Sequence, residues 1–297
     1  MDEAARPVTR RRVMPRPTDR ITLGKTRVEV SPFCLGWVDD PDTVLAAFDI
    51  GINFFFVPTD YHLGLYMRSI EGLKRLLARG GGIRDEIVVA AVGYIENPDF
   101  FGGTFRELLY AAPEIDRLDV AIAGAVLPGN AGRIEQLHAL RSEERLAVNA
   151  VGASFHSRPE ASAAIAAERI DVAFVRYNPL HPGAREDLFP AVVPERNVRL
   201  FNFVNSAGYL DDEAWSALDI EPEIWRPELS DYYRFALTRP ELDGILCAPK
   251  FPAHVERILR AVEAGPLTSE EEEHMIDLAL LGTGQATLAP TDTEVLA

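Results

Sequence analysis

The chain has 297 residues, 47% hydrophobic and 26% charged, which is enough apolar material for one large domain or two small ones. Its 46 acidic against 30 basic residues give a formal net charge of -16, which argues against nucleic-acid binding because phosphate recognition needs clustered Lys and Arg. No run approaches the roughly 18 consecutive apolar residues of a membrane span, and the N-terminus lacks the apolar core of a secretory signal. We therefore expect a cytoplasmic protein that does not associate with membranes.

The two ends of the chain differ in composition from the region between them. Residues 1–20 combine six arginines with prolines and show no helical or strand periodicity, which predicts a disordered basic arm. A transit peptide or an anion-binding tail is a less favoured interpretation of the same residues. Residues 284–297 are predicted to form a flexible tail. The remaining residues, 21–283, are expected to form one domain.

Between these ends, short apolar runs alternate with amphipathic segments. The segment ITLGKTRVEV at 21–30 has a Gly-Lys turn between two extended pieces, which predicts a hairpin. Continuous apolar runs such as EIVVAAVG are typical of parallel strands that are buried on both faces. Eight strands are predicted, at 33–36, 53–57, 87–92, 119–125, 148–154, 172–177, 198–203 and 244–247. Helices are predicted after them, at 42–50, 68–77, 104–111, 134–141, 159–167, 184–192, 229–237 and 253–264.

Eight strands that are each followed by a helix predict an α/β fold, a closed (β/α)8 TIM barrel within the usual length of about 250 residues. The hairpin precedes the barrel, and an extra C-terminal helix is predicted at 269–280. An open doubly wound sheet is the competing architecture, but it needs a glycine-rich loop between a strand and a helix. The cluster Gly80–Gly82 follows a helix and precedes a strand, so it predicts a turn instead. The segment 209–226 is too long for an ordinary connection and is predicted to cover the C-terminal rim.

Active sites of such barrels lie at the C-terminal ends of the strands, so polar residues after each strand are candidates for chemistry. His62 beside Asp60 is a candidate acid-base pair, and His156 with His181 is a second. The alternative for each is an ordinary solvated loop residue. The candidate rim residues are Asp39, Asp40, Asp60, Tyr61, His62, Tyr94, Glu96, His156, Tyr177, Asn178, His181 and Asn205.

Metal and disulfide chemistry find little support in the sequence. No HxxxH or HxH spacing is present, so we predict no metal site. Cys34 and Cys247 lie on the first and eighth predicted strands, which are neighbours in a closed barrel. We expect them to be buried, reduced thiols that pack as small hydrophobic side chains.

Six collinear segments carry a family resemblance: LGKTRVEVSPFCLG, GINFF, RDEIVVA, AVGASF, IDVAFVRYN and APKFPAHVERIL. In order and spacing they resemble the aldo-keto reductases, from Ile21 to about Leu281. The resemblance implies a (β/α)8 barrel whose bottom is closed by the N-terminal hairpin. It also implies reduction of carbonyls with NADPH, using a Tyr acid, a Lys-Asp pair and a His. Tyr61 matches the family's tyrosine. The family's Asp, Lys and His positions fall on Phe56, on Val92 and on Gly124 or the next residue, Ala125.

The cofactor positions implied by the resemblance also differ from the family. Trp37 stands where the family has a small Thr, Asn202 replaces the aromatic that stacks on the nicotinamide, and Phe174 replaces a Gln. Lys250 precedes a helix N-terminus where barrels often bind phosphate, with an ordinary exposed lysine as the alternative. The candidate cofactor-binding residues are Trp37, Ser154, Asn178, Phe203 and Lys250.

Two functions follow from the sequence. We favour a barrel that has lost hydride transfer, either a non-redox enzyme or a pseudoenzyme that binds a small-molecule ligand or a partner. Asp60, Tyr61 and His62 are its candidate catalytic residues, and NADP binding is predicted to be weak or lost. The alternative is an atypical NADPH-dependent oxidoreductase that reduces a small carbonyl compound, with Tyr61 as the proton donor. The sequence predicts neither the substrate nor the oligomeric state.

Overall fold

Ten strands in two sheets form in the part of the chain that the computed structural model describes, residues 13–144, 146–193, 196–218, 220–221 and 223–284. The strands are β1 Ile21–Thr22, β2 Glu29–Val30, β3 Phe33–Leu35, β4 Phe54–Pro58, β5 Val88–Gly93, β6 Val120–Val126, β7 Ala150–Phe155, β8 Val172–Arg176, β9 Arg199–Phe203 and β10 Gly244–Cys247. The helices are α1 Asp42–Asp49, α2 Met67–Ala78, α3 Ile83–Glu86, α4 Pro98–Ala111, α5 Gly132–Ser142, α6 Arg158–Ala166, α7 Ala184–Asp187, α8 Asp212–Ala217, α9 Leu229–Leu237, α10 Glu256–Ala264 and α11 Ser269–Gly282.

Strands β3 to β10 pair in parallel, each with the next along the chain, and β10 returns to β3 to close the barrel. The closing register pairs Leu246 with Cys34. The short antiparallel strands β1 and β2 form the predicted hairpin. The prediction of a (β/α)8 barrel with an N-terminal hairpin and an added C-terminal helix is therefore confirmed. All eight predicted barrel strands are found, in order.

Two helix predictions are wrong at one end. Helix α4 begins at Pro98, six residues before the predicted start, because the Asn97 side chain accepts a hydrogen bond from the Asp99 amide and Pro98 occupies the first turn. The predicted helix at 184–192 ends early: α7 stops at Asp187 and is followed by a short 3-10 turn. Pro190 lies in that turn and lacks the amide hydrogen that a continuing α-helix would need.

The Gly80–Gly82 cluster forms the predicted turn. All three residues have positive φ, at 69°, 70° and 87°. This left-handed backbone is costly for residues with a Cβ atom, and three in succession make glycine the favoured residue here.

The barrel interior is filled by side chains at alternate strand positions. Phe54, Phe56, Phe174 and Phe201 lie in one apolar cluster, with ring centroids between 5.3 and 6.2 Å apart. Leu23 and Val30 of the hairpin region belong to the same cluster, together with Val28. The hairpin thus closes the N-terminal end of the barrel, as predicted. The alternate residues of each strand face outward and pack under the helices.

Helix α11 is held to the barrel by a buried polar network. Its first turn is a capping box formed by Thr268 and Glu271. Glu272 of this helix accepts a hydrogen bond from Arg239, which also donates to the Tyr177 hydroxyl at 2.9 Å. Burial raises the pKa of Tyr177 to about 12, so its hydroxyl stays protonated.

The ends of the chain lie only partly within the described residues. Of the predicted basic arm, residues 1–12 lie outside them, whereas Met14 is buried in the core under the helices. Of the predicted tail, residues 285–297 also lie outside them. Among the described helices, none is long and apolar enough to cross a lipid bilayer.

Candidate functional site

A cavity of about 450 Å³ lies at the C-terminal ends of the barrel strands, within the size range of small-ligand sites. We call it the rim pocket. It is lined mainly by aromatic side chains, with a few polar groups. The aromatic lining residues are Trp37, Phe56, Tyr66, Tyr94, Phe174, Phe203 and Tyr233. The polar lining residues are His62, Ser154, His156, Asn205 and Ser206.

A larger cleft of about 930 Å³ lies at the opposite, N-terminal end of the barrel. Two of its carboxylates serve the fold. Asp119 accepts hydrogen bonds from Arg84 at 3.0 Å and from the Val89 amide at 2.8 Å. Asp171 accepts one from the Val151 amide at 2.9 Å. Because barrel active sites lie at the C-terminal rim and these two carboxylates are occupied in this way, we take the rim pocket as the candidate site.

The floor of the rim pocket is apolar. Phe56 and Phe174 line it, and their rings meet edge to face at 5.3 Å. Val92 is fully buried in the same interior cluster, on the strand next to that of Phe56. On the neighbouring strand, Gly124 leaves room for the Tyr94 ring, since a Cβ atom there would lie 2.6 Å from two ring carbons.

Asp60 holds two rim loops together. Its backbone has a positive φ of 57°, and its buried carboxylate accepts hydrogen bonds from the amides of Tyr94, at 2.6 Å, and Ile95, at 3.2 Å. The other carboxylate oxygen lies 3.5 Å from Nδ1 of His62. That separation exceeds a hydrogen bond of about 2.7–3.2 Å, and Nδ1 of His62 is buried without a partner among the described residues. The side chains of the predicted Asp60-His62 pair are therefore adjacent but not hydrogen-bonded to each other.

Tyr61 does not line the rim pocket. Its side chain is 68% exposed and its ring lies beside that of His62, at 4.2 Å. Partial desolvation and the charge of Asp60 raise the pKa of Tyr61. The tyrosines that do line the pocket, Tyr66 and Tyr94, also have raised pKa values because they are buried, about 12 for Tyr66. None of these three phenols is tuned toward easier proton release.

No family model and no curated protein matches the chain. Among solved structures it is similar to an aldo-keto reductase from Bacillus halodurans, in its holo form. The TM-score is 0.65 and the identity is 17%, over 88% of this chain and 96% of that chain. The two proteins share the (β/α)8 barrel fold.

The candidate cofactor residues fall in three different places. Trp37, Ser154 and Phe203 line the rim pocket, and the Ser154 hydroxyl oxygen accepts a hydrogen bond from the Ala125 amide at 2.8 Å. Asn178 is fully buried, donates to the Val204 carbonyl at 2.8 Å and accepts from His181, so its side chain joins two loops. These contacts leave the Asn178 side chain with a structural role.

Lys250 lies outside the rim pocket and is exposed. Its ammonium is 3.7 Å from a carboxylate oxygen of Asp39, and its backbone carbonyl accepts from the amides of Asp39 and Asp40. A 3-10 turn follows at 252–255 before α10 begins. The lysine thus joins the loop after β3 to the end of β10.

Arg133 is a buried residue of the rim that the sequence did not indicate. From helix α5 it donates hydrogen bonds to the carbonyls of Gly124, at 2.6 Å, and Ala125, at 3.3 Å, and its guanidinium lies 5.7 Å from the centre of the Phe101 ring. Burial lowers its pKa. An arginine in an amphipathic helix resembles a surface residue in sequence, and only the fold shows that it caps the end of β6.

The two remaining histidines of the rim do not form a pair. Nδ1 of His181 lies 3.0 Å from the Asn178 side-chain oxygen, while His156 packs edge to face on Phe203 at 5.4 Å. Burial lowers the pKa of both histidines, and the charge of Arg176 lowers them further. Both imidazoles are therefore neutral at pH 7.

The other predictions concern groups away from the pocket. Cys34 and Cys247 are buried and unpaired, as predicted, and the thiol of Cys247 donates to the Cys34 carbonyl at 3.3 Å. No cluster of three potential metal ligands occurs among the described residues. The segment 209–226 contributes no described residue to the pocket lining. Within this segment, Trp225 stacks on His274 of α11 at 5.7 Å.

Proposed function

We propose that this barrel binds a small organic molecule with an apolar body in the rim pocket, and that it does not transfer hydride. The observation that carries the proposal is the apolar floor. Phe56 and Val92 are buried in the interior at the positions where the family resemblance implies the Asp and the Lys, and Phe174 lies beside Phe56. Such a floor favours burial of apolar ligand surface, at about 25 cal/mol per Å².

The position and pKa of Tyr61 argue against the alternative, an atypical carbonyl reductase. A general acid must lie within hydrogen-bond reach of the substrate and have a pKa near the working pH. Tyr61 is outside the pocket lining and its pKa is raised rather than lowered. The three lysines of the chain, at 25, 74 and 250, are all absent from that lining, so no ammonium group there would stabilise a phenolate.

The residues at the expected nicotinamide side do not fit a dinucleotide. The fully buried Asn202 accepts from the Tyr177 amide at 2.8 Å and donates to Asn205 at 2.6 Å, so it offers neither an aromatic platform nor a free amide. Phe174 in the floor has no polar atom to hold a carboxamide. Lys250 would retain one phosphate contact, worth about 1.5–3 kcal/mol.

A non-redox proton transfer is the second candidate, and the unpartnered Nδ1 of His62 favours it. His62 lines the pocket, and Asp60 lies 3.5 Å behind this nitrogen. A shift of a few tenths of an ångström would let Nδ1–H donate to Asp60, which leaves Nε2 as a base. Catalytic hydrogen bonds are often long in unliganded sites and shorten when substrate binds. His62 would then accept a proton from a ligand held in the pocket.

The pocket proposal is tested by binding of uncharged probes to a protein with one tryptophan. The chain has three tryptophans, and Trp37 is 45% exposed and lines the pocket. Replacing Trp215 and Trp225 with Phe leaves Trp37 as the reporter. Benzyl alcohol, phenylacetamide and cyclohexanone should each change its fluorescence saturably.

Two Phe→Ala variants of this reporter protein locate the binding. Phe203→Ala removes a pocket wall and should weaken binding of the aromatic probes about 2- to 12-fold, the loss of one aromatic contact. Phe100→Ala is the matched control, because Phe100 is exposed on α4 and absent from the pocket lining. The proposal is refuted if both variants weaken binding of the probes equally, or if no probe gives a saturable change in fluorescence.

A further inference from the structure

A positive charge lies beside one wall of the rim pocket: Arg176 is not itself a lining residue, but its register partner Phe203 is. The chain has 46 Asp and Glu residues, yet none of the described residues that line the pocket is acidic. The wall is formed by the ends of three neighbouring strands, β7, β8 and β9. Arg176 ends β8 and pairs in register with Phe203 of β9. The register of Phe155 with Val175 places His156 beside Arg176.

Along β8, Arg176 occupies the same set of alternate positions as the residues that fill the barrel interior. Val172 and Phe174, at the two preceding alternate positions of β8, both belong to the interior cluster. Side chains alternate along a strand, so Arg176 faces the barrel axis above Phe174. It is half-buried, and its guanidinium makes no hydrogen bond or ion pair within the described chain.

Other arginines on this side of the barrel are paired. Both carboxylate oxygens of Asp187 lie 2.7 Å from Nε of Arg158, and Arg185 donates to Glu273 at 2.6 Å. Burial lowers the pKa of His156 and of His181, and the charge of Arg176 lowers both further. Because both rings are neutral at pH 7, Arg176 supplies the fixed positive charge beside this wall.

A half-buried guanidinium without a counter-ion is unfavourable, and a bound anion would balance it. A carboxylate matches the planar fork of arginine, since its two oxygens accept two parallel N–H bonds. We propose that the ligand of the rim pocket is a small organic acid, whose carboxylate pairs with Arg176 and whose apolar body contacts Phe174 and Phe203. This proposal rests on the proposed function, because it names the ligand class of the same pocket.

The experiment compares an acid with its uncharged amide. Binding of 3-phenylpropanoate and 3-phenylpropanamide to the full chain is measured by calorimetry at pH 7.5 and low salt. The acid should bind roughly ten- to hundredfold more tightly than the amide, as expected for hydrogen bonds to a charged group. Arg176→Gln should abolish this preference and leave the affinity for the amide unchanged.

Arg158→Gln is the matched control. It removes the same charge from the same side of the barrel, but from a residue that Asp187 already balances. This variant should keep the preference for the acid, which excludes a general effect of net charge. Thermal unfolding of both variants verifies that they fold.

Each outcome distinguishes the two proposals. Equal affinity for acid and amide in the natural protein, or a preference that survives Arg176→Gln, would overturn the carboxylate site and leave the pocket intact. A preference lost equally in both arginine variants would also overturn it. Failure of both compounds to bind, together with failure of the uncharged probes at Trp37, would overturn the proposed function itself.

Discussion

Gly124→Ala tests whether the Tyr94 ring is packed against the end of β6. A Cβ atom at this position would lie 2.6 Å from two carbons of the Tyr94 ring and 3.0 Å from a third. Carbon atoms in contact are normally about 3.5–4.0 Å apart, so the ring would have to move by about 1 Å. The ring also packs on His62, with centroids 4.3 Å apart, and it is largely buried. It cannot move without disturbing the pocket.

Overpacking of this kind costs about 1–3 kcal/mol. Thermal unfolding followed by circular dichroism should therefore show a Tm lowered by about 2–12 °C for Gly124→Ala. In a Tyr94→Leu background the same substitution should cost less, giving a coupling of about 1 kcal/mol or more in a double-mutant cycle. Gly103→Ala is the control, since Gly103 lies in α4 with no neighbouring atom within 4 Å of its missing Cβ. It should stabilise the protein by about 0.5–1 kcal/mol.

An equal cost of Gly124→Ala in both backgrounds would refute this reasoning. So would a Tm unchanged within error in the natural background. In either case the Tyr94 ring would not be fixed over Gly124, and the rim pocket would not have the shape described.

Three further predictions concern the groups around and beneath the pocket. Arg133→Met should lower the free energy of unfolding by about 1.5–3 kcal/mol, because the carbonyls at the end of β6 lose a charged donor. Chemical denaturation measures this, and a change below about 0.5 kcal/mol would contradict it. Phe174→Ala should cost about 3–5 kcal/mol, because it opens a cavity in the barrel interior, and an unchanged urea midpoint would refute that packing. Cys34 and Cys247 should resist iodoacetamide at pH 8 in the native protein and react fully after unfolding. The reason is that burial raises the pKa of both thiols, to about 12 for Cys247. Rapid labelling of the native protein, seen by mass spectrometry, would contradict this.

The sequence predicted the barrel well because buried parallel strands have a strong local signal. Runs such as VVAAVG and VAIAGAV contain no polar residue, so both faces must be covered. The helix ends were less predictable. The start of α4 depends on one side-chain hydrogen bond of Asn97, and the end of α7 depends on Pro190. Such single contacts leave little trace in a hydrophobic pattern.

The site was predicted only in part, because it is made by tertiary contacts. The sequence placed Asp60 and His62 together since they are two residues apart. It gave no reason to expect Tyr61, between them, to face solvent. Arg133 and Arg176 were missed because their role depends on register and parity across strands that are distant in sequence. The rim loops also differ too much in length for the sequence pattern to predict where their side chains lie.

The central claim is that the rim pocket holds a small organic molecule and not a nicotinamide cofactor. Calorimetric titration of the purified protein with NADPH and with NADH tests it most directly. Micromolar affinity requires about 8 kcal/mol of binding free energy, whereas the one phosphate contact at Lys250 would supply about 1.5–3 kcal/mol. We therefore predict no saturable heat with either nucleotide up to about 1 mM, a limit of about 4 kcal/mol. Micromolar binding of NADPH, with reduction of an aldehyde that Tyr61→Phe abolishes, would contradict the account and establish a reductase.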